Sequence, residues 1–85
     1  MADLQDVGAR VKRATSEQLG VPVEQINDDS RFAVELGADS IKSIELVAAF
    51  EAEFDIEMEQ DEALEVKNVG DAVRFIAKHL DEQGS

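Results

Sequence analysis

Apolar residues recur at helical spacing in three separate stretches of this chain, and between the first two lies a run from Gly20 to about Asp39 that keeps no period at all. Such a chain must fold as helices joined by one long connection. The first stretch opens at Asp3, a residue suited to capping a helix start, and carries Leu4, Val7, Val11 and Ala14 at spacings of three and four until Gly20 and Pro22 stop it. A second predicted helix spans Ser40 to Phe54, with Asp39 or Ser40 as its cap and no Gly or Pro inside. Residues Asp61 to Val66, with Ala63, Leu64 and Val66 among acids, read as a short third helix. The last helix follows Asn68 as cap and Asp71 in its first turn, sets Val69, Ala72, Val73, Ile76 and Leu80 on one face, and stops at Gly84. The expected fold class is all-α, a small three- or four-helix bundle with a long loop between the first and second helices, in one domain over residues 1–85. No internal repeat is visible.

Charge narrows the partners. Twenty Asp and Glu against eight Lys and Arg leave a formal net charge of -12 on 85 residues, which opposes self-association and repels nucleic-acid phosphates. A monomer that meets basic protein surfaces is expected, and no nucleic acid. Hydrophobic residues at 44% suffice for a core, since a chain of this size buries roughly 60–65% of its unfolded surface. With four Phe and neither Trp nor Tyr, Leu, Ile, Val and Ala must fill most of it. The absence of Cys excludes disulfides, Cys-based zinc sites and a thiol nucleophile, so any thiol chemistry must arrive on an attached group. No apolar run approaches the ~18–20 residues needed to span a bilayer, and Met1, Ala2 and Asp3 lack the basic-then-apolar start of a signal peptide, so a cytoplasmic location is expected. The short ends, from Met1 to the polar tail Asp81 to Ser85, suggest a free-standing protein.

Unstructured connections as long as residues 20–39 are uncommon in compact domains and are usually functional. Here Gly, Pro, Asn, Asp and Ser alternate with Val23, Ile26, Phe32, Val34 and Leu36, as in a loop pinned to the core by scattered apolar anchors. It ends at Gly37, Ala38, Asp39 and Ser40, where the second helix begins. On a wheel of about 100° per residue, Ser43, Leu46, Val47, Phe50 and Phe54 share one arc, the core face. Ile41, Ile44 and Ala48 make another apolar strip, bordered by Glu45 and Glu51. A small bundle cannot bury both faces well. Either Ile41 and Ile44 tuck under the loop, or the strip docks a partner through an apolar middle and an acidic rim.

Ser40 stands at the tip of that strip. It could simply cap the helix. As a nucleophile it would need a base, and the only His, His79, sits near the far end of the chain, where the last turn's partial negative charge accounts for it. The neighbourhood also lacks the G-x-S-x-G elbow. A modification site needs no base of its own, only exposure and a helix end that another enzyme can grip.

The run Phe32 to Ile41, reading FAVELGADSI, then Ile44 to Val47 and Phe50 to Met58, resembles the acyl carrier protein family, whose hallmark is L-G-A-D-S-L ahead of an acidic helix. The similarity covers most of the chain, through Val66 to Val69. It implies that Ser40 is where a phosphopantetheinyl transferase attaches 4'-phosphopantetheine from coenzyme A, whose thiol then carries acyl groups as thioesters. It also implies that Asp39, Ile41, Ile44, Glu45, Ala48 and Glu51 meet the basic docking patches of acyl-loading, synthase and acyltransferase enzymes, with Glu53 extending the acidic rim. Phe32, Leu46, Phe50, Met58, Ala63, Val66 and Ala72 match positions that shelter the acyl chain, although each is equally explained as plain core.

Three residues depart from carriers of fatty-acid synthesis: Lys42 and Ala52 stand where an acid is common, and Glu59 where Pro is common. They leave open a carrier dedicated to one lipid, polyketide or other acyl product. Two other functions compete with the carrier. Asp55, Glu57, Glu59 and Asp61 alternate like calcium ligands, but Gln60 replaces the required Gly and Val66 the required Glu, so no metal site is expected. An acidic helical adaptor that binds a basic protein partner fits the charge equally well but gives Ser40 no role.

Overall fold

In the computed structural model, which describes residues 2–84, the chain forms four helices: α1 (Leu4–Leu19), α2 (Ser40–Phe54), α3 (Gln60–Leu64) and α4 (Val69–Gly84). Met1 and Ser85, which the sequence reading used at the chain ends, lie outside the described residues. The Asp3 carboxylate accepts from Gln5 N at 2.9 Å and opens α1, which closes at Gly20 in a left-handed turn. Asn68 starts α4 in the same way, its side-chain oxygen taking the Asp71 N–H at 2.8 Å. The third helix begins one residue earlier than its sequence suggests and ends two earlier. Glu59 caps Asp61 N, and beyond Leu64 the chain tightens into i to i+3 bonds at Glu65 and Val66, so Val66 follows the helix.

The central α1 packs against both α2 and α4, and α3 leans on α2. Val7 and Val11 from α1, Leu46, Phe50 and Phe54 from α2, and Val69, Ala72, Val73 and Ile76 from α4 bury their side chains together. Each large one contributes about 1.5–3 kcal/mol. Leu80, at the far end of the α4 face, is only half-buried. Leu4 departs from the expected pattern: the first residue of α1, it is 56% exposed at the rim of a shallow depression beside α4. Thr15 is fully buried although polar, and its hydroxyl is satisfied by donating to Val11 O at 2.7 Å.

The long connection is tied down by its backbone as well as by apolar anchors. Val23 to Gln25 form one 3₁₀ turn, and residues 28–32 then run antiparallel to residues 67–70. Phe32 N donates to Lys67 O at 3.0 Å, Val69 N to Ser30 O at 2.9 Å and Gly70 N to Asp28 O at 2.7 Å. A β-carbon at Gly70 would stand 3.1 Å from Asp28 O, so that close crossing favours glycine. Ile26, Phe32, Leu36 and Ala38 are buried. Two expected anchors are not: Val23 is 42% and Val34 77% exposed. Val34 occupies the outer side of a turn in which Glu35 N and Leu36 N both donate to Arg31 O, so its side chain is lifted off the core.

Polar groups clasp α1 to α2. Arg10 Nε donates to Glu53 Oε2 at 2.8 Å and Arg10 Nη2 to Glu53 O at 2.7 Å, while Arg13 approaches the same carboxylate at 3.2 Å. The Arg10 guanidinium also lies 4.4 Å from the Phe54 ring centre. The Arg10 hydrogen bond holds the Glu53 carboxyl below its ordinary range, outweighing desolvation, and Glu53 in turn raises Arg10. Glu53 therefore does not extend an outward acidic rim. A group more acidic when folded contributes fully above its unfolded pKa, about 4.3 for Glu, and the contribution fades as pH falls through the lower folded value. Glu53→Gln is expected to lower unfolding free energy by about 1 kcal/mol at neutral pH, allowing for solvent screening. In urea titrations the gap to wild type should hold from pH 7 to pH 5 and close below pH 4.

Candidate functional site

The connection closes on itself just before α2. Ala38 N donates to Phe32 O at 2.8 Å, and Gly37 takes the left-handed conformation, φ 77°, that the turn requires. Asp39 follows in extended backbone, and its carboxylate accepts from Lys42 N at 2.8 Å. The cap of α2 is thus Asp39, and the Ser40 hydroxyl is left out of it. Ser40 is the first helical residue and is exposed, with a β-carbon at Gly37 meeting nothing within 4 Å. A bulky group can reach this oxygen.

Along α2 two faces separate as the wheel suggests. Leu46, Phe50 and Phe54 are buried, with Ser43 and Val47 half-buried beside them. On the other face Ile41 is 69% and Ile44 47% exposed, so neither tucks under the loop. Asp39, Glu45 and Ala48 are exposed along with them. Glu51 is different: half-buried, it accepts from Met58 N at 2.9 Å and thereby pins the segment that leaves α2. That segment turns at Asp55, the sole non-glycine residue with positive φ among those described.

All seven residues matched to a sheltering role meet around one cavity. Phe32, Leu46, Phe50, Met58, Ala63, Val66 and Ala72 line a space of about 50 Å³, and Phe32 and Phe50 stand with ring centres 6.4 Å apart. Ser43, Val47, Leu64, Phe75 and Ile76 complete the wall. Ser43 and Val47 were legible from the α2 wheel, and Ile76 from the α4 face. Leu64 and Phe75 reach the cavity only because α3 and α4 converge there. Ser43, three residues after Ser40, places the cavity one helical turn along from the free hydroxyl. His79 rests on the Phe75 ring at 4.6 Å, its Nδ1 3.1 Å from Phe75 O, which accounts for it within α4. Among the described residues no three His, Asp or Glu side chains converge to hold a metal. Among those residues no helix is long and apolar enough to cross a membrane.

The sequence model of the family described as "Phosphopantetheine attachment site" matches residues 9–76, well over half of the chain. The chain belongs to the acyl carrier protein family. Its relatives include the "Acyl carrier protein" of Sinorhizobium fredii (strain NBRC 101917 / NGR234), 44% identical over 75 residues, which are 88% of this chain and 96% of the relative. The "Acyl carrier protein AcpP" of Rhizobium meliloti (strain 1021) matches with the same identity and the same shares. An acyl carrier protein is a carrier of acyl groups and not a catalyst, and the group it carries them on is 4'-phosphopantetheine. An exposed hydroxyl outside the cap, with open space before it and an apolar cavity one turn away, fits such a group.

The cap and the hydroxyl are separable. Asp39→Ala removes an acceptor for a first-turn N–H and is expected to cost about 1 kcal/mol of stability. Urea unfolding followed by circular dichroism measures it, and Ser40→Ala, which touches no cap, should leave the midpoint nearly unchanged.

Proposed function

We propose that Ser40 carries 4'-phosphopantetheine and that this carrier presents acyl thioesters on it to the enzymes of a fatty-acid, specialised-lipid or polyketide pathway. The observation that carries this reading is the Ser40 hydroxyl, exposed at the first residue of α2 while Asp39 does the capping. A phosphopantetheinyl transferase would join the Ser40 oxygen to the phosphate of coenzyme A's pantetheine half, releasing adenosine 3',5'-bisphosphate, with the hydroxyl proton passing to the transferase or solvent. The group supplies a thiol for thioester exchange, in a chain that has no Cys. At the opening of α2 the helix dipole favours the phosphodiester's negative charge.

The remaining residues serve delivery. Ile41, Ile44 and Ala48 offer an apolar strip with Asp39 and Glu45 beside it, a surface suited to brief contacts with acyl-loading, synthase and acyltransferase enzymes. Residues around Phe32, Leu46, Phe50 and Ala72 would shelter the acyl chain. At about 50 Å³ their cavity is small beside ligand pockets of about 300–1,000 Å³, so a long chain enters as the walls part. The wall best placed to move is α3, five residues long and too short to be stable alone. We place the carrier in the cytoplasm as a monomer, its net charge of -12 opposing self-association.

Incubation with coenzyme A and a phosphopantetheinyl transferase, followed by intact mass, tests the assignment. A phosphopantetheine adduct is expected on wild type and none on Ser40→Ala with unchanged helicity. An adduct that persists on Ser40→Ala, or none on wild type with several competent transferases, would overturn it and leave the acidic adaptor.

A further inference from the structure

The acidity of this molecule is not where its docking strip is. Four charged side chains lie on α2, namely Lys42, Glu45, Glu51 and Glu53. Glu53 is held by Arg10 and Arg13, and Glu51 by the Met58 N–H. The exposed face keeps only Lys42 and Glu45, each about half exposed and 3.9 Å apart. By contrast Asp55, Glu57, Glu59, Asp61, Glu62 and Glu65 are all exposed, in a stretch with no Lys or Arg. Basic surfaces are drawn in at long range by the whole molecule and by this stretch, yet at the helix tip they meet a cation.

We propose that Lys42 is a specificity-determining residue, which turns away enzymes whose docking surface is basic along the whole strip and favours those that set a carboxylate against the first turn of α2. The inference rests on Ser40 being the attachment point. Lys42 follows Ser40 by two positions, about 3 Å along the helix axis and roughly 200° around it, so the two flank Ile41, and an enzyme that covers the Ile41 strip while it acts on the Ser40 oxygen meets the ammonium at the strip's edge beside Glu45. Lys42 also partly neutralises Glu45, which with Asp39 borders the strip. Like charges brought together at an interface penalise a wrong partner more than they weaken the field that guides it in. The result is a filter by contact laid over attraction at a distance.

The test is a gain of function, which misfolding cannot mimic. Lys42→Glu, Lys42→Gln and wild type are loaded from coenzyme A by a phosphopantetheinyl transferase whose docking face is basic, and kcat/KM is measured from low to high salt. At low salt Lys42→Glu is expected to load roughly fivefold to tenfold faster than wild type, chiefly through KM, with Lys42→Gln between them. The gain should fade towards 1 M salt, where screening acts within about 3 Å. Equal or slower loading of Lys42→Glu at low salt, or a gain indifferent to salt, would overturn the filter while leaving the carrier assignment standing. An adduct that survives Ser40→Ala would instead overturn the attachment site, and the filter with it.

Discussion

Three backbone hydrogen bonds between residues 28–32 and 67–70 hold this molecule's long connection in place, and the presentation of Ser40 follows from them. Tied at Phe32 to Lys67, the chain can return through the bond between Ala38 N and Phe32 O and enter α2 at one defined point. Asp39 is then positioned to take the Lys42 N–H, and the serine after it is relieved of capping. The same tie brings Phe32 and Val66, 34 positions apart in sequence, to one cavity wall. A loop that merely buried apolar side chains could slide. One bonded by its backbone to the start of α4 has its register set.

Charge is used in two distinct ways. Glu53 and Glu51 are spent inside the protomer, on the Arg10 and Arg13 clasp and on the Met58 N–H, where they hold α1, α2 and the segment before α3 together. The exposed acids from Asp55 to Glu65 have no Lys or Arg among them and contribute to the molecule's long-range field. Such a division suits a protein that must be found quickly and released. In the proposed carrier role the field would speed encounter, while the exposed strip of Ile41, Ile44 and Ala48 would add a short apolar contact.

Most of the architecture is legible in one dimension because helices announce themselves locally. Asp3, Gly20, Asn68 and the periodic apolar residues of α1, α2 and α4 mark elements whose bonds close within a few residues. Where spacing misled, the cause was tertiary: Leu4 keeps the period but lies at the rim beside α4 and not in the core, and Val34 is apolar but stands on the outer side of a turn. Val66 looked helical and became instead the link that reaches the cavity. Thr15 carried no apolar signal, since its burial depends on a hydroxyl bonding back to Val11 O.

By itself the sequence determined that this is an acidic helical chain without thiols, that a serine opens its second helix, and that this helix bears two apolar faces. Those are properties of composition and of a 3.6-residue period, which neighbours in the chain suffice to express. Only the tertiary structure decided which face is covered, which acids are free, and whether Asp39 or Ser40 caps α2. The first two turn largely on groups from distant parts of the chain arriving at the same place, and the third on the backbone course that the tie at Phe32 gives the chain as it enters α2; local spacing records neither.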